Sequence, residues 1–241
     1  QPDKMMGALV DMLVAQNVKT ITIVYMDDLF GLENFAALNN ALKKTQIQVL
    51  DRKSYPLGVK DLAPVLRTMK DLNPDAFIGI TYPPDTILAS RQAREVGFNP
   101  KYFYASVGTA FQLYKNVMAA NTEGVIGMGS WNGKTSPEAK AYFDAHTKKF
   151  GKEPDRWASG HAWAGLQILQ QAVEKVGLDR KALREQIAKN EFKTILGPIR
   201  FEGSENASIP GTVSQWQGGD FEVVWPKDRA TAQLMPKPAW K

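Results

Sequence analysis

The sequence of 241 residues predicts an α/β fold with a doubly wound parallel sheet, one whole lobe with part of another. Three observations predict it. Over residues 1–129, apolar runs of strand length alternate five times with helical patterns. From Ser136 to Asn190 the pattern changes to three amphipathic helices with no strand between them. After Asn190 only Pro198–Phe201, Thr212–Trp216 and Phe221–Trp225 read as strands, the last two joined by the turn Gln217-Gly218-Gly219-Asp220 as a hairpin.

Each element has its own signal. Met5, Met6, Leu9, Val10, Met12 and Leu13 recur at helical spacing, with Asp3 as the expected cap. Thr20–Met26 is β-branched and apolar, as a strand buried on both faces must be. Leu32–Lys44 is expected to be helical, with Phe35, Leu38 and Leu42 on one face, and Gln46–Leu50 a second strand. Tyr55-Pro56-Leu57-Gly58 reads as a loop, and Asp61 as the cap of a helix that ends at Asp71 before Asn73-Pro74. Ala76–Thr81 is the third strand, and Asp85–Val96 the next helix, closed by Gly97. Tyr102–Ala105, a short helix over Phe111–Ala119 and a fifth strand at Gly124–Gly129 complete the series.

The three later helices begin at Ser136-Pro137-Glu138, a cap followed by proline at the first helical position. They span 137–150, Ala158–Val176 and Lys181–Lys189. Leu166, Leu169, Ala172, Val173 and Val176 form one apolar stripe, Leu183 and Ile187 another, and such stripes must be buried on something. The first sheet already has helices for both faces. These three therefore predict a second sheet whose strands lie upstream of Gln1. The hairpin suits the edge of the first sheet. The chain opens at Gln1-Pro2 without Met or a leader pattern, so a processed or trimmed form is expected.

Composition excludes several chemistries. There is no cysteine, hence no disulfide, thiolate metal site or cysteine nucleophile, and His146 and His161 are the only histidines. Net charge is +5, with Lys and Arg scattered among Asp and Glu, which predicts a solvated surface and no nucleic-acid partner. No run of about 18 apolar residues is present to span a membrane. No nucleophile elbow, phosphate loop or paired-carboxylate pattern appears, and Ser106 with His161 lacks the context of a triad. No enzyme, catalytic residue, metal or cofactor is expected.

Ligands of an open parallel sheet sit at the carboxyl ends of its strands. Asp27-Asp28-Leu29-Phe30-Gly31 follows the first strand, and Tyr82-Pro83-Pro84-Asp85 follows the third and leads into Arg91–Gly97. Two such loops predict half of a cleft that captures a small molecule.

The order and spacing of several pieces resemble the type I periplasmic binding proteins, and in detail the branched-chain amino acid (Leu/Ile/Val) receptors of ABC transporters. They are Ile23 to Gly31, Asn73-Pro74-Asp75-Ala76, Arg91–Gly97, Glu123-Gly124-Val125, Gly197-Pro198-Ile199-Arg200-Phe201, and Gln215-Trp216 with the Gly218-Gly219 turn. The resemblance covers almost the whole chain. It implies two Rossmann-like lobes joined by three crossings, the first incomplete here. Residues 1–129 would be the core of lobe 2, 130–198 helices returned to lobe 1, and 199–241 the return to lobe 2 with a tail. It implies a periplasmic monomer that captures a small-molecule ligand by hinge closure and delivers it to an ABC transporter permease in the inner membrane. The lobe 1 groups that grip a ligand carboxylate would lie upstream of Gln1.

The resemblance also implies site residues. Phe30 matches an aromatic that covers the ligand, against the alternative of packing beside Gly31. Tyr82 matches a ligand contact, against a tyrosine that shields the Pro83-Pro84 turn. Ser106 stands where amino acid receptors place an acid for the ligand ammonium. A buried ammonium needs a carboxylate partner, so the departure favours an aromatic or aliphatic carboxylate over an α-amino acid, unless Asp85 or Glu33 takes the role. Tyr104, Thr109 and Phe111 add aromatic surface and hydroxyls. Trp131 is either a cleft wall or hinge packing, and His161, on a helix with Trp163 and next to Trp157, either a donor or structural. An amino acid receptor, and a ligand sensor or regulator of the same fold, are the alternatives.

Overall fold

The structure, a computed structural model, describes residues 1–241. The chain divides into two compact units, Pro2–Gly129 with Gly211–Lys241, and Ser130–Pro210 with Gln1.

The larger unit is a seven-stranded sheet flanked by helices. Its strands are β1 (Thr20–Met26), β2 (Gln48–Tyr55), β3 (Ala76–Ile80), β4 (Tyr102–Tyr104), β5 (Val125–Gly127), β9 (Val213–Gln217) and β10 (Asp220–Trp225). Its helices are α1 (Pro2–Ala15), α2 (Leu29–Leu42), α3 (Ala63–Asp71), α4 (Pro83–Glu95) and α5 (Gln112–Met118). The strand order is β10-β9-β5-β4-β3-β1-β2, with β1 to β5 parallel and the β9–β10 hairpin antiparallel on the β5 edge. All five residues of β3 are buried, which explains its continuous apolar run. Between β1 and β3 the strand order reverses, and there the helices that follow the two strands diverge to opposite faces.

Several boundaries differ from expectation. Asp3 lies in the first turn of α1 rather than ahead of it, because the helix begins at Pro2. α2 begins at Leu29, capped by Asp28, whose side chain accepts from the Gly31 amide. β2 runs on to Tyr55 instead of stopping at Leu50. It is the edge strand, and Asp51, Arg52 and Lys53 on its exposed rim hide its length from a hydrophobicity reading. Gly31 is required by closeness, since a Cβ there would lie 1.8 Å from the Met26 carbonyl oxygen. The end of β1 and the start of α2 are pressed together at that point.

The smaller unit holds α6 (Pro137–Phe150), α7 (Ala158–Val176) and α8 (Arg180–Lys189), followed by a three-stranded antiparallel sheet, β6 (Glu191–Thr194), β7 (Gly197–Glu202) and β8 (Glu205–Asn206). Ser136 caps α6 and Asp179 caps α8 through side-chain oxygens. The core gathers Trp131, Ala164, Ile168, Ala172, Phe192 and Ile199. This compact unit runs on to Pro210, past the expected boundary at residue 198, because Gly197–Arg200 of β7 pair with β6 and Phe201–Glu202 with β8. Of the stripe read on α7, Ala172 is buried, whereas Leu166 and Leu169 are exposed.

Residues 230–241 return across the larger unit. The Lys237 amide donates to the Lys101 carbonyl, Trp240 Nε1 to the Phe98 carbonyl, and the Lys241 amide to Asn121 Oδ1. Gly124, at φ +75°, leaves room for this strap: a Cβ there would stand 2.7 Å from Lys237 Cα.

Candidate functional site

The carboxyl ends of β1, β3 and β4 lie side by side in the larger unit. β1 delivers Phe30 on the first turn of α2, and β3 delivers Tyr82 as the residue that precedes α4. Because the two strands are neighbours in register, the side chains meet. The Phe30 and Tyr82 rings stack, with centroids 4.8 Å apart and planes 24° from parallel. Both are half-buried, so part of the pair stays accessible.

Each ring is held from behind. The Phe30 carbonyl accepts from Asn34 Nδ2 at 2.9 Å, and Asn34 is buried. The Tyr82 carbonyl accepts from the Thr86 amide at 2.8 Å and from its hydroxyl at 2.9 Å. Asp85, buried, occupies the third position of α4 and takes a backbone hydrogen bond from Tyr82. This is the reciprocal half of a capping box. Burial raises the Asp85 pKa, the Tyr82 backbone bond lowers it, the Asp28 charge raises it and Lys60 lowers it. The Tyr82 phenol is raised by burial and then by Asp28. Tyr55, at the end of β2, is raised by burial and then by Asp85 and Asp28. Two carboxylates and two phenols therefore share one corner of the sheet.

The end of β4 behaves differently. Ser106 is wholly buried at φ +43°, a left-handed conformation uncommon for a residue with a side chain. Its Oγ makes no hydrogen bond of good geometry and has the Tyr104 phenol as its polar neighbour. Its carbonyl accepts from the Met128 amide at 3.1 Å and from Thr109 Oγ1 at 2.7 Å. Thr109 thus spends its hydroxyl inside the fold, and its carbonyl holds Trp216 Nε1 at 3.0 Å. Tyr104 is buried below, its phenol pushed well up by burial and opposed by the Ser106 hydroxyl.

The family model for periplasmic binding protein matches residues 1–220. The chain belongs to the periplasmic binding protein family. A Leu/Ile/Val-binding protein homolog 7 of Brucella suis is 25% identical over 231 residues, 89% of this chain and 57% of that protein. A leucine binding protein of Thermotoga maritima superposes with a TM-score of 0.79 at 25% identity, over 94% of this chain and 67% of its own. A solute binding protein of an R. palustris ABC transporter, in complex with benzoate, gives a TM-score of 0.81 at 15% identity, over 99% and 64%. The chain spans a little over half the length of the curated relatives it matches, 57% in the Brucella suis case.

In this periplasmic binding protein the expected site residues fall into three groups. Phe30 and Tyr82 are brought together and stay partly accessible. Tyr104, Ser106 and Thr109 lie together at the next strand end but are enclosed, and Thr109 is engaged internally. Trp131 lies in the smaller unit, buried against Tyr142 and so close to Gly160 that a Cβ there would stand 2.4 Å from Nε1. That contact is core packing. His161 is exposed, its Nδ1 2.8 Å from the Trp157 carbonyl one turn back. Trp163 stacks on Tyr142. Sequence reasoning missed Asp28 and Tyr55. An aspartate three residues before Gly31 at a helix start was the available signal for Asp28; the true end of β2 hid Tyr55. No helix is long and apolar enough to cross a membrane, and no group of three or more acidic or histidine side chains is placed to hold a metal ion.

Proposed function

We propose that this chain supplies the second lobe of a solute-binding receptor of an ABC importer, whose ligand is a small aromatic or aliphatic carboxylate rather than an α-amino acid. The observation that carries this reading is the stacked Phe30–Tyr82 pair at the point where the strand order reverses. A flat ring face suits an aromatic or branched aliphatic body. At β4 stands Ser106, a neutral residue, so no charged partner for an ammonium waits there. The ligand carboxylate would be gripped by the other lobe of the whole receptor. Binding would favour the closed form in proportion to its differential affinity, and a permease of the inner membrane would recognise that form from the periplasm. The R. palustris neighbour is in complex with benzoate and the Thermotoga maritima one is a leucine binding protein, so likeness of fold is compatible with both ligand classes.

A second reading, an amino acid receptor, is favoured by Asp28 beside Tyr82, which offers a carboxylate to an ammonium from a different loop. Asp85 is poorly placed for that role, because it is buried and holds the Tyr82 amide.

Titration calorimetry of the intact receptor, wild type and Tyr82→Ala, tests the proposal with benzoate and with a short keto acid. Removal of the ring should weaken binding by at least about tenfold, the scale of a lost aromatic contact, with the melting temperature little changed. Equal affinity in the two proteins would remove Tyr82 from the site.

A further inference from the structure

Asp28 stands where the two site loops meet. Its Oδ1 accepts the Gly31 amide at 2.8 Å and so fixes the first turn of α2, on which Phe30 rides. Phe30, two residues further on, stacks on Tyr82 with centroids 4.8 Å apart, so the capped turn sets Asp28 beside the Tyr82 loop, and the Tyr82 phenol is raised by burial first and by Asp28 second. On the other side, Asp85 occupies the first turn of α4. A helix N-terminus ordinarily welcomes an anion, through its free amides and its dipole. Here the starts of both helices are already supplied with carboxylates from the chain itself. Carboxylates accept hydrogen bonds and donate none. Asp28 and Asp85 act on this corner with negative charge, and Lys60, which is exposed, opposes them at Asp85. A ligand end laid on the Phe30–Tyr82 face therefore meets net negative charge and hydrogen-bond acceptors.

We propose that Asp28 determines specificity at this site: it ties the Phe30 loop to Tyr82 and rejects a second negative charge at the end of the ligand that rests on the ring pair. The inference rests on the reading of Phe30 and Tyr82 as a ligand-binding wall. It selects ligands whose far end is neutral or carries a donor, such as an amide, a hydroxyl or an apolar ring, and it turns away dicarboxylates of the same shape.

The test uses two isosteric pairs on the intact receptor, wild type and Asp28→Asn: terephthalate against its monoamide, and L-glutamate against L-glutamine. Asparagine caps a helix as well as aspartate does, so the variant should keep its fold. For whichever pair binds, the wild type should prefer the amide by about 30-fold or more, the effect of a like charge at contact range, and Asp28→Asn should bring the ratio below about fivefold. An unchanged ratio overturns the proposal. A second readout needs no ligand. With tyrosine labelled with carbon-13 at Cζ, and the Tyr82 signal assigned by its loss in Tyr82→Phe, the phenol should titrate at lower pH in Asp28→Asn than in the wild type. A Tyr82 titration that does not move overturns the tie between the loops. Benzoate is titrated alongside: silence of the terephthalate pair while benzoate binds overturns the specificity proposal, silence of benzoate as well contradicts the ligand reading beneath it, and the tyrosine titration in either case decides whether Asp28 acts on Tyr82.

Discussion

In the proposed reading, Ser106 is the position at which the carboxylate and amino acid classes part. It is wholly buried, at positive φ, and its hydroxyl makes no hydrogen bond of good geometry. At ψ −148° the residue lies outside the small left-handed helical region that aspartate tolerates, so the melting temperature of Ser106→Asp is measured first, beside Ser106→Asn as the neutral isostere. The new carboxylate should weaken a simple carboxylate ligand by about tenfold or more through repulsion at close range, and strengthen leucine instead if the native ligand carries an ammonium. Calorimetry with benzoate and leucine on both proteins checks it, and no change for either ligand would place Ser106 outside the site. The placement of Phe30 and Tyr82 at neighbouring strand ends was legible, because a strand followed by a helix start sets the residues between them at the carboxyl ends of the sheet, whereas a ligand-binding role for them came only from the family resemblance. The inward use of Thr109 was not legible. Its hydroxyl bonds a carbonyl three residues back, and nothing in the sequence tells that bond from one offered to a ligand.

At the scale of elements, the terminal strap makes a prediction of its own. Lys237 is buried, with Nζ donating to Asn99 Oδ1 at 2.8 Å and to the Pro238 carbonyl at 2.9 Å, and lying 3.2 Å from the centre of the Trp240 ring. Burial lowers its pKa to about 7, while the ring face and the two oxygens favour the ammonium. In the unfolded chain a lysine titrates at about 10.4. Between those values the unfolded state binds more protons than the folded one, so stability rises with pH across the window and is lost as pH falls through the folded value. The melting temperature should climb from pH 7 to pH 9.5 in the wild type by more than in Lys237→Met. Parallel curves for the two proteins would show that Lys237 does not titrate with folding. The strap itself escaped sequence reading because its bonds are to distant loops at Phe98, Lys101 and Asn121. The buried strands and capped helices were legible, since each carries its signal locally. β6 was missed because only Phe192 of its four residues is buried.

At the scale of the molecule, the order β2-β1-β3-β4-β5 places one reversal point in the larger unit, and the aromatic pair stands at it. The strand count and alternation of the first 129 residues made that sheet readable from sequence, while the pairing of β7 with β6 turned on a hairpin whose first strand lacked a signal. Family membership follows from the match over residues 1–220. The receptor built on this lobe is proposed to take a carboxylate with an aromatic or aliphatic body. The most direct measurement is the thermal unfolding of the intact receptor against a panel of benzoates, cinnamates, short fatty and keto acids, their amides and the branched-chain amino acids. A ligand at about 100 times its dissociation constant adds about 2.7 kcal/mol to stability, a shift of several degrees. We expect shifts with aromatic or aliphatic acids and none with leucine, isoleucine or valine; stabilisation by those amino acids alone would contradict the claim.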